Sequence, residues 1–258
     1  MIDKRLIAES FSRAAASYDS AARLQRLVGE SLLSRLPAGL SPRNILDLGC
    51  GTGHFTQALA ARYPAADIYG LDLALGMLEY ARRHSTGNLH WIGGDAEKLP
   101  LASGSIDLLF SSLAIQWCTE LPSLFREMRR VVRPGGLILF STLADGTLWE
   151  LRQAWQAVDQ YRHVNDFAPL ADLRQTVAEV DFAEASVEQQ TLVLEHQDLR
   201  ELTSELKRLG AHNLNQGRPQ GMTGPERLRR LLKAYESFRT PAGTLPATWQ
   251  VVYGGLRV

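Results

Sequence analysis

Ile45-Leu46-Asp47-Leu48-Gly49-Cys50-Gly51-Thr52-Gly53 is the stretch whose reading decides the fold. A short apolar run carries an acidic residue, three glycines follow at alternating positions, and His54-Phe55-Thr56-Gln57-Ala58-Leu59-Ala60-Ala61 then has the composition of a helix. The order is strand, glycine turn, helix. Glycine lacks a Cβ and tolerates positive φ, so such a turn lets a ligand approach the backbone closely. The spacing differs from the G-x-G-x-x-G of dinucleotide enzymes and from the G-x-x-x-x-G-K-[ST] of phosphate loops, and it lacks a phosphate-loop lysine. The turn therefore does not read as a site for a nucleoside di- or triphosphate.

Outward from this turn the pattern repeats. Strands are expected at about 44–48, 67–71, 89–93, 106–111 and 137–142, with helices at about 53–62, 75–84 and 120–132 between them. Ile106-Asp107-Leu108-Leu109-Phe110-Ser111 is almost wholly apolar, as a parallel strand covered on both faces must be. Strands alternating with helices predict a doubly wound α/β sheet. Residues 5–35 read as helical, with Leu24, Leu27, Val28 and Leu32 on one stripe. After residue 145 the grammar changes: helices at 147–162 and 170–180, a strand at 185–195, helices at 198–209 and 224–238, and a last strand at 248–258. The two late strands, separated by a helical excursion, predict an antiparallel pair at one sheet edge with the excursion as a lid. The expected fold is Rossmann-like, with seven mostly parallel strands. It divides into an N-terminal helical segment (1–40), a core (41–145), a completing region (146–197), a lid (198–240) and a final antiparallel strand (241–258).

Composition narrows the function classes. The chain has 258 residues, 28 basic and 28 acidic, and 45% hydrophobic, which argues against a general nucleic-acid binder. Two cysteines, Cys50 and Cys118, without a C-x-x-C pair, and six histidines without zinc spacing give no metal site and no disulfide scaffold. No 18-residue apolar run and no signal-like N-terminus is present, so no membrane association and a cytoplasmic location are expected.

In an open α/β sheet, ligands bind beyond the carboxyl ends of the strands where strand order reverses. Asp47 and the glycine turn, Asp72, Asp95-Ala96 and Ser111-Ser112-Leu113 all fall at that edge. Asp72, 19 residues beyond Gly53, suits ribose hydroxyls and repels a ribose phosphate. Asp95 suits an adenine amino group, and Leu73 and Met77 supply apolar surface for a base. This constellation, over residues 40–145, resembles the class I S-adenosylmethionine-dependent methyltransferases. The resemblance implies that Gly49, Cys50, Gly51 and Gly53 face the methionine part of the cofactor, with Asp72 on ribose and Asp95-Ala96 on adenine. Asp47 near the turn suits an ammonium and a sulfonium and penalises a dianion.

The ends of the chain are more discriminating. Phe11-Ser12-Arg13 through Tyr18-Asp19, Ser112-Leu113-Ala114-Ile115-Gln116-Trp117, Gly210-Ala211-His212-Asn213, Gly217-Arg218-Pro219-Gln220-Gly221 and the tail Thr248-Trp249-Gln250-Val251-Val252-Tyr253-Gly254 are similar to the malonyl-acyl carrier protein O-methyltransferases of biotin synthesis. The resemblance implies methyl transfer from S-adenosylmethionine to the free carboxylate of malonyl-acyl carrier protein or malonyl-CoA, leaving S-adenosylhomocysteine. On this reading Tyr18, His212 and Arg218 anchor the carboxylate, and Gln116, Trp117 and Asn213 border the acceptor. Carrier proteins are acidic, and Arg227, Arg230 and Lys233 on the lid helix are the preferred docking residues over the arginines of helix 120–132. The alternatives are another small-molecule carboxylate O-methyltransferase, a quinone-precursor C-methyltransferase, or a cofactor-binding protein without catalysis.

Overall fold

The structure, a computed structural model, describes residues 3–210 and 224–258. Its centre is a seven-stranded sheet. The first five strands are β1 (Asn44–Leu48), β2 (Asp67–Asp72), β3 (Leu89–Gly93), β4 (Ile106–Ser112) and β5 (Val132–Leu143), and all pair in parallel. The last two are β6 (Glu184–His196) and β7 (Leu245–Arg257). Across the sheet the order is β3-β2-β1-β4-β5-β7-β6. Strand order reverses between β1 and β4, so the crevice for a ligand opens beyond Leu48 and Ser112.

Side chains alternate across each strand, and the core is split accordingly. Ile45 and Leu108 face one layer with Leu24, Val28 and Leu32 of α2 (Arg23–Ser34) and Leu59 of α3 (His54–Arg62). Their neighbours Leu46 and Leu109 face the other layer with Leu124, Phe125 and Met128 of α5 (Leu121–Val131). α4 (Leu75–His84) follows β2. The apolar reading of β4 reflects this two-sided cover: Ile106 through Ser111 are all buried.

The late strands form the expected antiparallel pair, in continuous register from Glu184↔Arg257 to His196↔Leu245. β7 also pairs antiparallel with β5, so the last strand of the chain lies inside the sheet and β6 forms its edge. Among the described residues no helix is long and apolar enough to cross a membrane.

Two helical expectations need correction. Residues 5–35 form two helices, α1 (Lys4–Tyr18) and α2, because Ser20 and Ala21 turn their N–H groups back to Ser17 and Tyr18 carbonyls and the Asp19 carboxylate is drawn off to the Thr52 hydroxyl at 2.7 Å. The helix expected over 147–162 is only α6 (Trp149–Gln156). Beyond it, the Asp159 carboxylate accepts the N–H of Tyr161 at 2.9 Å, a local turn that competes with helix continuation. α7 (Leu170–Ala178), α8 (Leu199–Arg208) and α9 (Pro225–Glu236) complete the chain, with α8 packed near α1 and β6, and α9 against α6.

Candidate functional site

Three left-handed glycines build the turn after β1: Gly49 at φ 72°, Gly51 at 54° and Gly53 at 83°. They do different work. A Cβ on Gly49 would lie 2.2 Å from the Ala114 Cβ, and one on Gly53 would lie 2.7 Å from the Trp91 indole. A Cβ on Gly51 would meet no atom within 4 Å, because Gly51 faces an open cavity. The Gly51 N–H donates to Asp72 at 2.9 Å, and the Ala74 N–H donates to the other Asp72 oxygen at 2.8 Å. Asp72 thus ties the glycine turn to the start of α4 and borders the cavity beside Gly51.

The second wall of the cavity is α1. Lys4, Ile7, Ala8, Phe11 and Tyr18 recur at helical spacing along its inner face. Phe11 meets the Trp117 ring edge-on, with centroids 5.2 Å apart. Lys4 bonds both oxygens of Asp95, at 2.9 and 2.7 Å, and lies 2.7 Å from Glu97. The Tyr18 hydroxyl has no hydrogen-bond partner among the described residues. Burial, together with the charges of Asp72 and Asp19, pushes its pKa up, so it remains a donor at neutral pH. Beyond β4, Leu113 is held in a left-handed conformation at φ 49°. Its N–H reaches the Ser141 carbonyl at 3.1 Å, and its carbonyl accepts from the Gln116 amide at 2.6 Å. A non-glycine residue in this region costs about 1–2 kcal/mol, which these bonds offset.

The residues expected at the site divide. Gly49, Gly51, Asp72, Leu73, Met77, Asp95, Ala96, Trp117 and Tyr18 come together around the cavity. Asp47 lies behind the turn instead, 2% exposed, with its carboxylate accepting from the Thr56 hydroxyl at 2.6 Å. Cys50 is buried against Gly70, and Ser111 is fully buried with its hydroxyl on the Leu48 carbonyl, so Ser112 lines the cavity in its place. Gln116 braces Leu113 and is not part of the cavity lining. His212, Asn213 and Arg218 lie outside the described residues. Arg227 is ion-paired with Asp159 and Arg230 with Glu226, which neutralises two of the three charges expected to dock a carrier, while Lys233 is exposed. Sequence reasoning placed Leu113 at this edge but missed Lys4, Phe11 and Ala114. For Lys4 and Phe11 the signal was available as a stripe with Ile7 and Ala8 at helical spacing.

The electrostatics favour a cation. Burial pushes Asp47 up to about 7, with the Thr56 hydrogen bond opposing and the Asp72 charge adding. Burial also raises Asp72, against the N–H groups of Ala74, Gly51 and Leu73. A buried carboxyl and a half-buried one held near each other favour a positively charged ligand and penalise a pyrophosphate. Cys118, at the cavity wall, is pushed up to about 12 by burial and Glu97, and burial raises Cys50 as well, so neither thiol is a nucleophile at neutral pH. Among the described residues no cluster of histidine, cysteine or acidic side chains could hold a metal ion.

Residues 46–140 match the family model described as a methyltransferase domain. The chain is 49% identical, over 98% of its length, to the biotin biosynthesis bifunctional protein BioHC of Cellvibrio japonicus, and spans 50% of that longer protein. It is 43% identical to the malonyl-[acyl-carrier protein] O-methyltransferases of Gallionella capsiferriformans (98% of this chain, 90% of that protein) and Methylococcus capsulatus (97% and 92%). Among solved structures, YcgJ from Bacillus subtilis superposes with a TM-score of 0.60 at 18% identity, covering 90% of this chain and 98% of that one. Phosphoethanolamine N-methyltransferase 2 of Haemonchus contortus, in complex with S-adenosyl-L-methionine, gives 0.60 at 17% identity, covering 95% and 57%.

Proposed function

The chain belongs to the malonyl-[acyl-carrier protein] O-methyltransferase family, and on that premise we propose that its cavity transfers a methyl group from S-adenosylmethionine to the free carboxylate of a malonyl thioester in biotin synthesis. The observation that carries the reading is the cavity itself: Gly51 opens onto it, Asp72 borders it, and Tyr18 of the N-terminal helix lines it with a hydroxyl that has no hydrogen-bond partner among the described residues. The likeness to the O-methyltransferases runs through the N-terminal helices and the late segment as well as the core.

The residues present fit the methyl donor. The side of Gly51 that a Cβ would occupy is open space, Asp72 offers a carboxylate to ribose hydroxyls, and Leu73 and Met77 offer apolar surface to a base. When bound, S-adenosylmethionine supplies a methyl group activated on a cationic sulfur. The acceptor carboxylate, with an ordinary pKa of about 4, is already ionised at neutral pH, so no general base is required. The work left to the protein is alignment and exclusion of water, and alignment alone contributes about 7–11 kcal/mol in favourable cases. Phe11, Trp117 and Ile7 supply apolar cover over the cavity. Tyr18 donates one hydrogen bond to the acceptor carboxylate. His212 and Arg218 are proposed to complete its anchor, with one oxygen left free to react. Segment 198–240 is proposed as the lid, and a cytoplasmic setting without a metal completes the reading.

The test is one assay with labelled S-adenosylmethionine and malonyl, succinyl and acetyl thioesters. Transfer to malonyl but not to acetyl thioester is expected. Transfer to acetyl as readily as to malonyl would overturn carboxylate methylation.

A further inference from the structure

The described surface carries three arginine clusters, and they differ in what their charges face. On α5, Arg129 pairs with Asp181 at 3.5 Å and Arg130 with Glu127 at 2.6 Å, and just beyond it, at the start of β5, Arg133 pairs with Asp107. On α9, Arg227 pairs with Asp159 and Arg230 with Glu226. The third cluster has no such partners. Arg23 and Arg26 in the first turn of α2 and Arg200 and Arg208 on α8 line one groove, all exposed, and none is ion-paired with a carboxylate among the described residues. Arg23 and Arg26 reach only backbone carbonyls, of Glu195 and Asp19.

Arg200, Ser204 and Arg208 are spaced four apart, so they form one face of α8 over roughly 12 Å. The acidic groups of the groove are Glu201 and Glu205, and both are engaged: Glu201 accepts the Gln197 N–H at 2.7 Å, and Glu205 lies 3.1 Å from His196. Four arginines against two glutamates leave a surplus of positive charge.

The groove also stands at the site. Its lining includes Ser20 and Ala21, two and three residues beyond Tyr18, which lines the cavity. The Ser17 hydroxyl donates to the Arg208 carbonyl at 3.0 Å, and the Ser10 hydroxyl to the Gly210 carbonyl at 3.1 Å, so α8 is joined to the same helix that walls the cavity. A thioester carried on a flexible arm must be delivered from a surface beside the cavity mouth.

We propose that the arginine groove between the start of α2 and α8 docks the acidic surface of the carrier protein that presents the malonyl thioester. This rests on reading the cavity as the site of malonyl thioester methylation. Unpaired arginines steer an acidic partner and fix its orientation; Arg129 and Arg130 of α5 and Arg227 and Arg230 of α9 are ion-paired within the chain, which leaves one arginine on each of those helices, Arg126 and Arg229, without a carboxylate partner among the described residues, against four in the groove.

The experiment compares Arg200→Glu combined with Arg208→Glu against wild type on three substrates: malonyl-carrier protein, malonyl-CoA and malonyl-pantetheine. Neither side chain makes a hydrogen bond within the described structure, and Arg126→Glu on α5 serves as the control. The double variant is expected to raise KM for the carrier-linked substrate about tenfold or more, with malonyl-CoA and malonyl-pantetheine changed less than about twofold. In wild type, added salt is expected to raise KM for the carrier-linked substrate alone, a measurement independent of how the variant folds. An unchanged KM for the carrier-linked substrate overturns the proposal. An equal loss on malonyl-CoA overturns it too, since that assigns the arginines to a phosphate shared by both substrates. A loss on malonyl-pantetheine as well overturns it as damage to the site. Wild-type enzyme that leaves malonyl-pantetheine unmethylated strikes the underlying reading of the cavity instead.

Discussion

Lys4 spans from the first turn of α1 to Asp95 beyond β3, with its ammonium 2.9 and 2.7 Å from the two carboxylate oxygens. Burial opposes the charge on Lys4, but hydrogen bonds to Asp95 and Glu97 outweigh it and hold the pKa above the ordinary value. The pair fastens the N-terminal helix across the end of the cavity where an adenine is expected.

Lys4→Met is expected to loosen α1. A half-buried pair of this kind is worth about 1 kcal/mol, so KM for S-adenosylmethionine should rise about fivefold and amide exchange in the first turns of α1 should accelerate. Hydrogen exchange by mass spectrometry reads both the site and the size of the effect. Unchanged exchange would show that apolar contacts alone hold the helix.

Gly49 and Gly51 should respond differently to alanine. Both have positive φ, at a cost of about 1–2 kcal/mol for a Cβ. Gly49→Ala also drives a methyl to within 2.2 Å of Ala114, and should cost about 3 kcal/mol or more and depress the melting temperature strongly. Gly51→Ala meets open cavity, so it should fold with a smaller loss yet bind S-adenosylmethionine at least about tenfold more weakly. Thermal melts and titration calorimetry on the two proteins separate the packing glycine from the ligand-facing one.

Asp47 sets a pH dependence of stability. Its ordinary value is 3.8, and burial pushes it to about 7 in the folded protein. Between those values the folded state holds a proton that the unfolded state has released, so rising pH favours unfolding. Wild type should therefore lose stability relative to Asp47→Asn as pH rises from about 4 to 7 and show a constant difference above that. Melting temperatures of the two proteins across this range provide the check. A difference independent of pH would place the ionised carboxylate in the folded state throughout.

Tyr18→Phe removes a hydroxyl and keeps the ring. It should lower kcat/KM for the malonyl thioester about tenfold while changing cofactor affinity less than about twofold. If Arg218 anchors the carboxylate as proposed, Arg218→Ala should raise KM for the malonyl thioester by about tenfold or more, the size expected for loss of a charge-assisted hydrogen bond. Steady-state kinetics with calorimetry on the cofactor distinguishes these acceptor roles from a role in holding the donor.

Local chemistry made much of this legible in advance. The strand-turn-helix order around Gly49–Gly53, the acidic residue closing β2 and the apolar runs of β4 and β5 are consequences of backbone sterics and of burial on both faces, and each is written in neighbouring residues. The resemblance of the chain's ends added the acceptor. What neighbouring residues do not encode is which distant groups meet. Asp47 and Asp72 read alike, as acidic residues at strand ends, yet one is sealed behind the turn on Thr56 and the other borders the cavity. Arg227 and Arg200 both lie on helices of the late segment. Only tertiary packing brings Asp159 to Arg227 and leaves Arg200 without an ion-pair partner among the described residues. The sequence by itself determined most of the elements and the glycine turn proposed to receive the donor, because these follow from interactions along the chain. The tertiary structure decided that α1 walls the cavity, that β7 enters the sheet between β5 and β6, and which charges remain unpaired, because those outcomes depend on contacts between residues far apart in the chain.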